Sequence, residues 1–303
     1  MRVAFGEGLL ELGEELEDLV VLTADVAKPT QAIGFGERFP HRFLNVGIAE
    51  QDMVDIAAGL ALSEKVPVAV AFAPFMMRAW EQVRSTIARC SLNVKLVGTH
   101  SGLSAADEGA SHQSLEDVAL MRVLPNMTVV VPGDREEVKE ATRAIVESKG
   151  PAYMRIGRDE DARFLEEEFR LGRAVVLKDG SDVAVFSNGY LTSEVLAAAE
   201  GAPVDAMVIH VPTVKPLDSS TVLSAARRTG AAVCVEEHSV IGGMGSAVSE
   251  LLSEEYPIHV RRMGVGDTFG ESGTYRELLE KHRLTATHIR EAMVEAAKRR
   301  GTR

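Results

Sequence analysis

Short apolar runs rich in β-branched residues recur along the chain and alternate with stretches whose apolar positions return every three to four residues. Residues 20–23, 66–72, 94–99, 127–131 and 152–156 have the length and continuity of buried parallel strands. Between them, 2–16, 47–63, 75–91 and 135–147 carry helical spacing. A polar, acid-rich stretch at 158–169 reads as a linker, after which the alternation resumes with strands near 182–187, 204–211, 231–236 and 259–263. The pattern predicts an α/β protein of two doubly wound domains, 1–165 and 166–303.

Open α/β sheets gather ligands at the carboxyl ends of their strands. In the first unit those ends carry Asp25, the Phe72/Phe75 pair, His100 and Arg158; in the second they carry Asn188, His210, Glu236, Glu237 and His238. Glu50 opens an apolar helix, where a carboxylate meets the positive end of the helix dipole. Taken locally, a surface acid complementing the dipole is the commoner arrangement, and two aromatics at a strand end are more often core than platform. The loop of residues 98–113 is less ordinary. It places His100, His112 and two acids among small residues directly after a strand, which suits close backbone approach and proton transfer near neutral pH.

With 303 residues, 46% of them hydrophobic and 26% charged, the chain has the composition of a globular protein with two sizeable cores. Its formal charge of −12 argues against a nucleic-acid groove, while leaving room for an anionic substrate met by a few local arginines. Cys90 and Cys234 are expected to be buried packing residues, without metal-ligand spacing. Early acids at the N-terminus and the lack of an apolar run near the roughly 18 residues of a membrane span make a cytoplasmic enzyme or subunit the expected class.

Several motifs together resemble the transketolase family. Residues 45–51 (Asn-Val-Gly-Ile-Ala-Glu-Gln), Phe72 and Phe75, Thr99-His100, residues 109–113 (Gly-Ala-Ser-His-Gln), residues 124–127 (Leu-Pro-Asn-Met) and Arg158 are similar to the family's pyrimidine-binding domain. Residues 235–245 and 267–272 resemble its C-terminal domain. The resemblance spans nearly the whole chain and is strongest to the C-terminal subunit of split transketolases. No Gly-Asp-Gly motif for a Mg²⁺-diphosphate is found in the sequence. The resemblance therefore implies thiamine diphosphate in a shared site, with Mg²⁺ or Ca²⁺ held by an N-terminal partner subunit and an α2β2 assembly.

It also implies residue roles. Glu50 would hydrogen-bond N1′ of the aminopyrimidine, so that the 4′-imino nitrogen can remove the C2 proton of the thiazolium. Phe72, Phe75 and Arg78 would line the cofactor ring. His100 and His112 would act on substrate hydroxyls or phosphate, and Arg158 would take the sugar phosphate, with Thr30 and Arg2 as further candidates. Two departures bear on specificity: Glu108 stands where relatives have an aspartate that reads substrate hydroxyls, and Arg78 stands where single-chain transketolases have a tyrosine. The implied reaction is transfer of a two-carbon ketol unit from a ketose phosphate to an aldose phosphate, the transketolase reaction (EC 2.2.1.1) of the pentose phosphate pathway. Rival expectations are the C-terminal part of a 1-deoxy-D-xylulose-5-phosphate synthase and a non-catalytic assembly subunit. Residues 242–245 (Gly-Gly-Met-Gly) lack dinucleotide-loop spacing and are expected to form a tight strand-to-helix turn at a subunit contact.

Overall fold

A computed structural model describes residues 1–158 and 163–300. The strands are β1 (Leu19–Thr23), β2 (Phe43–Asn45), β3 (Val66–Phe72), β4 (Lys95–Thr99), β5 (Thr128–Val130) and β6 (Ala152–Arg155), then β7 (Val175–Lys178), β8 (Val183–Ser187), β9 (Ala206–His210), β10 (Thr213–Lys215), β11 (Ala231–Ser239) and β12 (His259–Val265). They form two sheets, of order β10-β5-β6-β4-β3-β1-β2 and β12-β11-β8-β9-β7. Only β10 on β5 and β7 on β9 pair antiparallel; the remaining pairs are parallel. Central strands such as β1 and β4 are buried throughout, as unbroken apolar runs require when helices cover both faces of a sheet. Part of the 158–169 stretch, 159–162, lies outside the described residues. Among the described residues no helix is long and apolar enough to cross a membrane.

Two features were not expected from the pattern. Strand β10 lies beyond the linker in sequence yet completes the edge of the first sheet, so the two halves share a ladder as well as a core. That core is one continuous layer running from Leu22 and Met53 through Val129 and Val214 to Phe186 and Leu252. The helix expected over 75–91 is also not one helix. It breaks into a turn Ala73–Met76, a 3₁₀ turn Met77–Ala79, a short helix Trp80–Gln82 and a π-helical segment Val83–Ala88. Pro74 starts the first turn, and Ala79 at φ −97° and ψ 16° leaves helical geometry. Such wide and tight turns inside a helix often mark functional positions.

The helix Glu50–Leu62 buries Met53, Val54, Ala57 and Ala58, with Ile56 and Leu60 only partly covered. Its approach is set by Gly47 at φ +76° and by Asn45, whose Oδ1 accepts from the backbone N–H groups of Asp25 (3.0 Å) and Gly47 (3.1 Å). Cys234 is buried as expected. Cys90 is exposed, correcting the expectation for that residue: it falls just past the π-helical segment Val83–Ala88, beyond the buried Ile87 and Ala88.

Candidate active site

The expected site residues collect at the carboxyl ends of neighbouring strands of the first sheet. Phe72 ends β3, His100 follows β4, Arg158 follows β6, and Glu50 opens the helix after β2. Phe75 lies one turn beyond β3, and Glu108 and His112 lie in the loop after β4.

Four rings form the centre. Phe72 and Phe75 stack at 5.3 Å with an interplanar angle of 14°. His100 stacks on Phe72 at 3.7 Å, and His112 meets Phe75 edge-on at 5.2 Å. Phe72 is nearly covered while Phe75 is half-buried, so one aromatic face remains open to a flat ring.

His100 is only 2% exposed and sits at φ +54°, a left-handed conformation tolerated by histidine more than by most residues. Backbone strain of this kind costs on the order of 1 kcal/mol and concentrates at functional sites. Its Nε2 lies 3.3 Å from Arg2 Nη1, and since arginine only donates, Nε2 accepts. The proton then resides on Nδ1, which faces Thr99 Oγ1 at 2.9 Å. Arg2 also donates to the carbonyls of Arg158 (2.8 Å) and Pro29 (2.6 Å), tying three strand ends together. Thr99 belongs to the Thr99-His100 motif, but its bond to the ring was not legible there, because a sequence does not show which atoms meet.

Glu50 is buried, at 4% exposure, and Arg78 Nη1 reaches its Oε2 at 3.7 Å. Arg78 is itself two-thirds exposed, so this ion pair is largely screened. Gln51 Nε2 donates to the Arg78 carbonyl at 3.3 Å, and the helix packs on the turn Met77–Ala79 that follows Phe75. Burial of the carboxylate rules out the plain surface acid.

Around the opposite rim, Arg158 Nη1 lies 3.3 Å from Glu108 Oε1 and 3.9 Å from Asp107 Oδ1. His112 Nε2 is 4.0 Å from Glu108 Oε2, and its Nδ1 faces Ser111 Oγ at 2.9 Å. Thr30 does not join this group. It is fully buried and its hydroxyl donates to the Val26 carbonyl at 2.7 Å, the local bond that competes for short hydroxyl side chains in turns. That placement corrects the expectation that Thr30 meets substrate.

His210, Glu237 and Glu236 of the second unit are committed to internal bonds. His210 Nε2 meets Glu137 at 2.8 Å, and Glu237 accepts from the N–H of Leu103 (2.5 Å) and the hydroxyl of Tyr275 (2.7 Å). Glu236 accepts from the N–H groups of Met244 (2.7 Å) and Gly245 (2.9 Å). The glycine turn at 242–245 thus gives its helix N-terminus to an internal carboxylate, and a Cβ on Gly243 would stand 2.2 Å from Glu236 Oε2. Among the described residues no cluster of three or more histidine, cysteine or acid side chains fits a metal ion.

A stacked phenylalanine pair and a buried carboxylate at neighbouring strand ends suit an aminopyrimidine, and the sequence holds no Gly-Asp-Gly motif for a diphosphate. Comparison with known proteins agrees. Residues 1–161 match the model of the transketolase pyrimidine-binding domain and residues 172–289 that of the transketolase C-terminal domain. A protein of Methanocaldococcus jannaschii named as a transketolase C-terminal section is 40% identical over 99% of this chain and 96% of its own length. The 6-deoxy-6-sulfo-D-fructose transketolase subunit of a Clostridium species is 40% identical over 100% of this chain and 96% of its own. A solved split-gene transketolase, described as an inactive beta4 tetramer, aligns with a TM-score of 0.90 at 44% identity, covering 99% of this chain and 98% of that one. The chain belongs to the transketolase family, with the pyrimidine-binding and C-terminal domains in sequence, and that family implies thiamine diphosphate.

Proposed function

We propose that this chain, divided near residue 165, is the C-terminal subunit of a two-chain transketolase. With an N-terminal partner it transfers a two-carbon ketol group from a ketose phosphate to an aldose phosphate. The observation that carries this reading is the buried Glu50, 3.7 Å from Arg78 in the turn that follows the stacked phenylalanines, with no Gly-Asp-Gly motif in the sequence. Bound thiamine diphosphate supplies the nucleophilic carbon; this chain's residues orient it and move protons. Glu50 holds a proton against the pyrimidine edge, Phe72 and Phe75 fix the ring plane, and Arg78 flanks it. His100 stacks on Phe72 with its Nε2 held beside Arg2, and His112 stands on the other side of the ring pair. Arg158 and Glu108 meet the far end of the sugar. The partner holds the diphosphate with Mg²⁺ or Ca²⁺, and two copies of each subunit assemble in the cytoplasm.

The sugar itself remains a matter for assay: the relative named for 6-deoxy-6-sulfo-D-fructose shows that pentose phosphates are one choice within the family. The test is to purify the chain alone and with an N-terminal subunit carrying Gly-Asp-Gly, then follow ketol transfer with thiamine diphosphate and Mg²⁺. The lone chain is expected to be inactive, as the solved beta4 relative is described, and the pair active. Full activity of the lone chain would overturn the shared site.

A further inference from the structure

The arginine assigned above to the charged end of the sugar already faces an anion. Glu108 stands between the two side chains meant for substrate, 3.3 Å from Arg158 and 4.0 Å from His112, and Asp107 adds a second carboxylate at 3.9 Å. Arg158, Glu108 and His112 are each about one-third exposed, at 33%, 32% and 35%, so a ligand can reach them while solvent screens their charges only in part.

The loop bearing Glu108 is tightly held. Ala106 and Gly109 both take positive φ, +50° and +77°, and a Cβ at Gly109 would stand 2.7 Å from Ser272 Oγ. Gln113 Nε2 donates to the carbonyls of Ala106 (3.0 Å) and Glu271 (2.8 Å), clamping the loop to the second domain. The carboxylate of Glu271 is paired with Lys281 and adds no counter-charge to the rim. The backbone that carries Glu108 is therefore fixed beside Arg158.

We propose that Glu108 is a specificity-determining residue that sets the charge class of the sugar terminus. Because the Glu108 carboxylate already offsets the Arg158 guanidinium, a phosphate dianion is accepted less readily, relative to a sulfonate or another monoanion, than it would be without Glu108. The phosphate brings a second negative charge within a few ångströms of Glu108, and like charges at that range in a partly desolvated rim repel strongly enough to matter. A sulfonate on the same carbon makes the same planar contacts to the arginine fork with half that repulsion. This rests on the reading of Arg158 as the group that meets the sugar terminus.

The experiment compares two ketoses that differ only in a terminal phosphate or sulfonate, using the reconstituted two-chain enzyme with Glu108→Gln, Glu108→Asp and Arg158→Ala. Glu108→Gln should lower the ratio of phosphate to sulfonate KM by about tenfold, the effect of one partly screened charge. Glu108→Asp, which keeps the charge, should leave the ratio near that of the parent. A gain for phosphate cannot come from a damaged fold. Equal ratios in the parent and Glu108→Gln, or the same shift in Gln and Asp, would overturn the proposal. An active Arg158→Ala enzyme with unaltered KM for both ketoses would instead overturn the role of Arg158. Failure of the parent pair to turn over either ketose would overturn the transketolase reading itself.

Discussion

At the scale of single residues, the site depends on which polar atoms are left for a ligand. Glu50 has lost its water and gained only a long contact to an exposed arginine, so its carboxylate is available for a ring nitrogen. Glu50→Gln keeps size and hydrogen bonding but cannot exchange a proton. It should lower kcat of the reconstituted enzyme by at least about 100-fold, the low end for a positioned proton-transfer group, with an unchanged melting temperature. Near-parental turnover would remove Glu50 from the chemistry. Phe75 offers the open ring face, and Phe75→Ala should weaken thiamine diphosphate binding by up to about tenfold, the worth of one aromatic contact beyond its area. Calorimetric titration of the two-chain enzyme with thiamine diphosphate checks this. The sequence pointed to Glu50, both phenylalanines, both histidines and Arg158 through their motifs. Thr99 and Ser111 stood inside those motifs, but their bonds to the histidines were not legible, because one-bond partners leave no pattern in a linear chain.

Elements place those residues, and here two charged groups under the sheet carry testable consequences. Lys95 begins β4 fully buried, its Nζ donating to Asn93 Oδ1 (2.8 Å) and to the carbonyls of Ser148 (2.9 Å) and Gly150 (2.8 Å). Burial pushes its pKa down from 10.5 to about 7. The unfolded chain keeps this proton up to about pH 10.5, while the folded chain begins to release it near 7. The unfolded state thus binds more protons across that window, and this residue's contribution makes the fold more stable as pH rises through it. Urea midpoints measured from pH 7 to 10 should climb more steeply in the parent than in Lys95→Met; parallel curves would defeat the assignment.

Asp134 caps the helix Arg135–Glu147 by accepting from Glu137 N–H at 3.0 Å. Its other oxygen accepts from the N–H groups of Phe164 (3.1 Å) and Leu165 (3.0 Å). Asp134→Ala should cost about 2 kcal/mol in chemical denaturation, the upper end for a lost cap, and loosen the chain beyond the linker to proteolysis. The helix over 135–147 was legible from its spacing. The break in the 75–91 helix was not, because only packing against the sheet decides where a helix must widen.

For the whole molecule, a buried ion pair of the first unit, Arg155 with Asp117, reaches the second unit through a bond from the arginine to a backbone carbonyl. Arg155 Nε meets Asp117 Oδ2 at 2.9 Å, while its Nη2 donates to the carbonyls of Ser114 (3.0 Å) and Glu237 (2.8 Å). Tyr153 donates to the same carboxylate at 2.7 Å, and burial together with Asp117 pushes its hydroxyl's pKa well up. Arg155→Met leaves Asp117 charged in a dry interior and should destabilise the chain by about 3–5 kcal/mol. Thermal unfolding that shifts by less than a degree would show that the pair is replaceable.

Local order came from the chain itself. Apolar runs specified strands, three-to-four spacing specified helices, and the motif order named the domains, since each depends on neighbours a few residues apart. What the tertiary structure decided is which of those residues meet. The crossing of β10 into the first sheet and the closing of Glu108 onto Arg158 depend on groups tens of residues apart. Such choices follow from competition among buried polar atoms for a limited set of partners, and that competition exists only once the chain is folded.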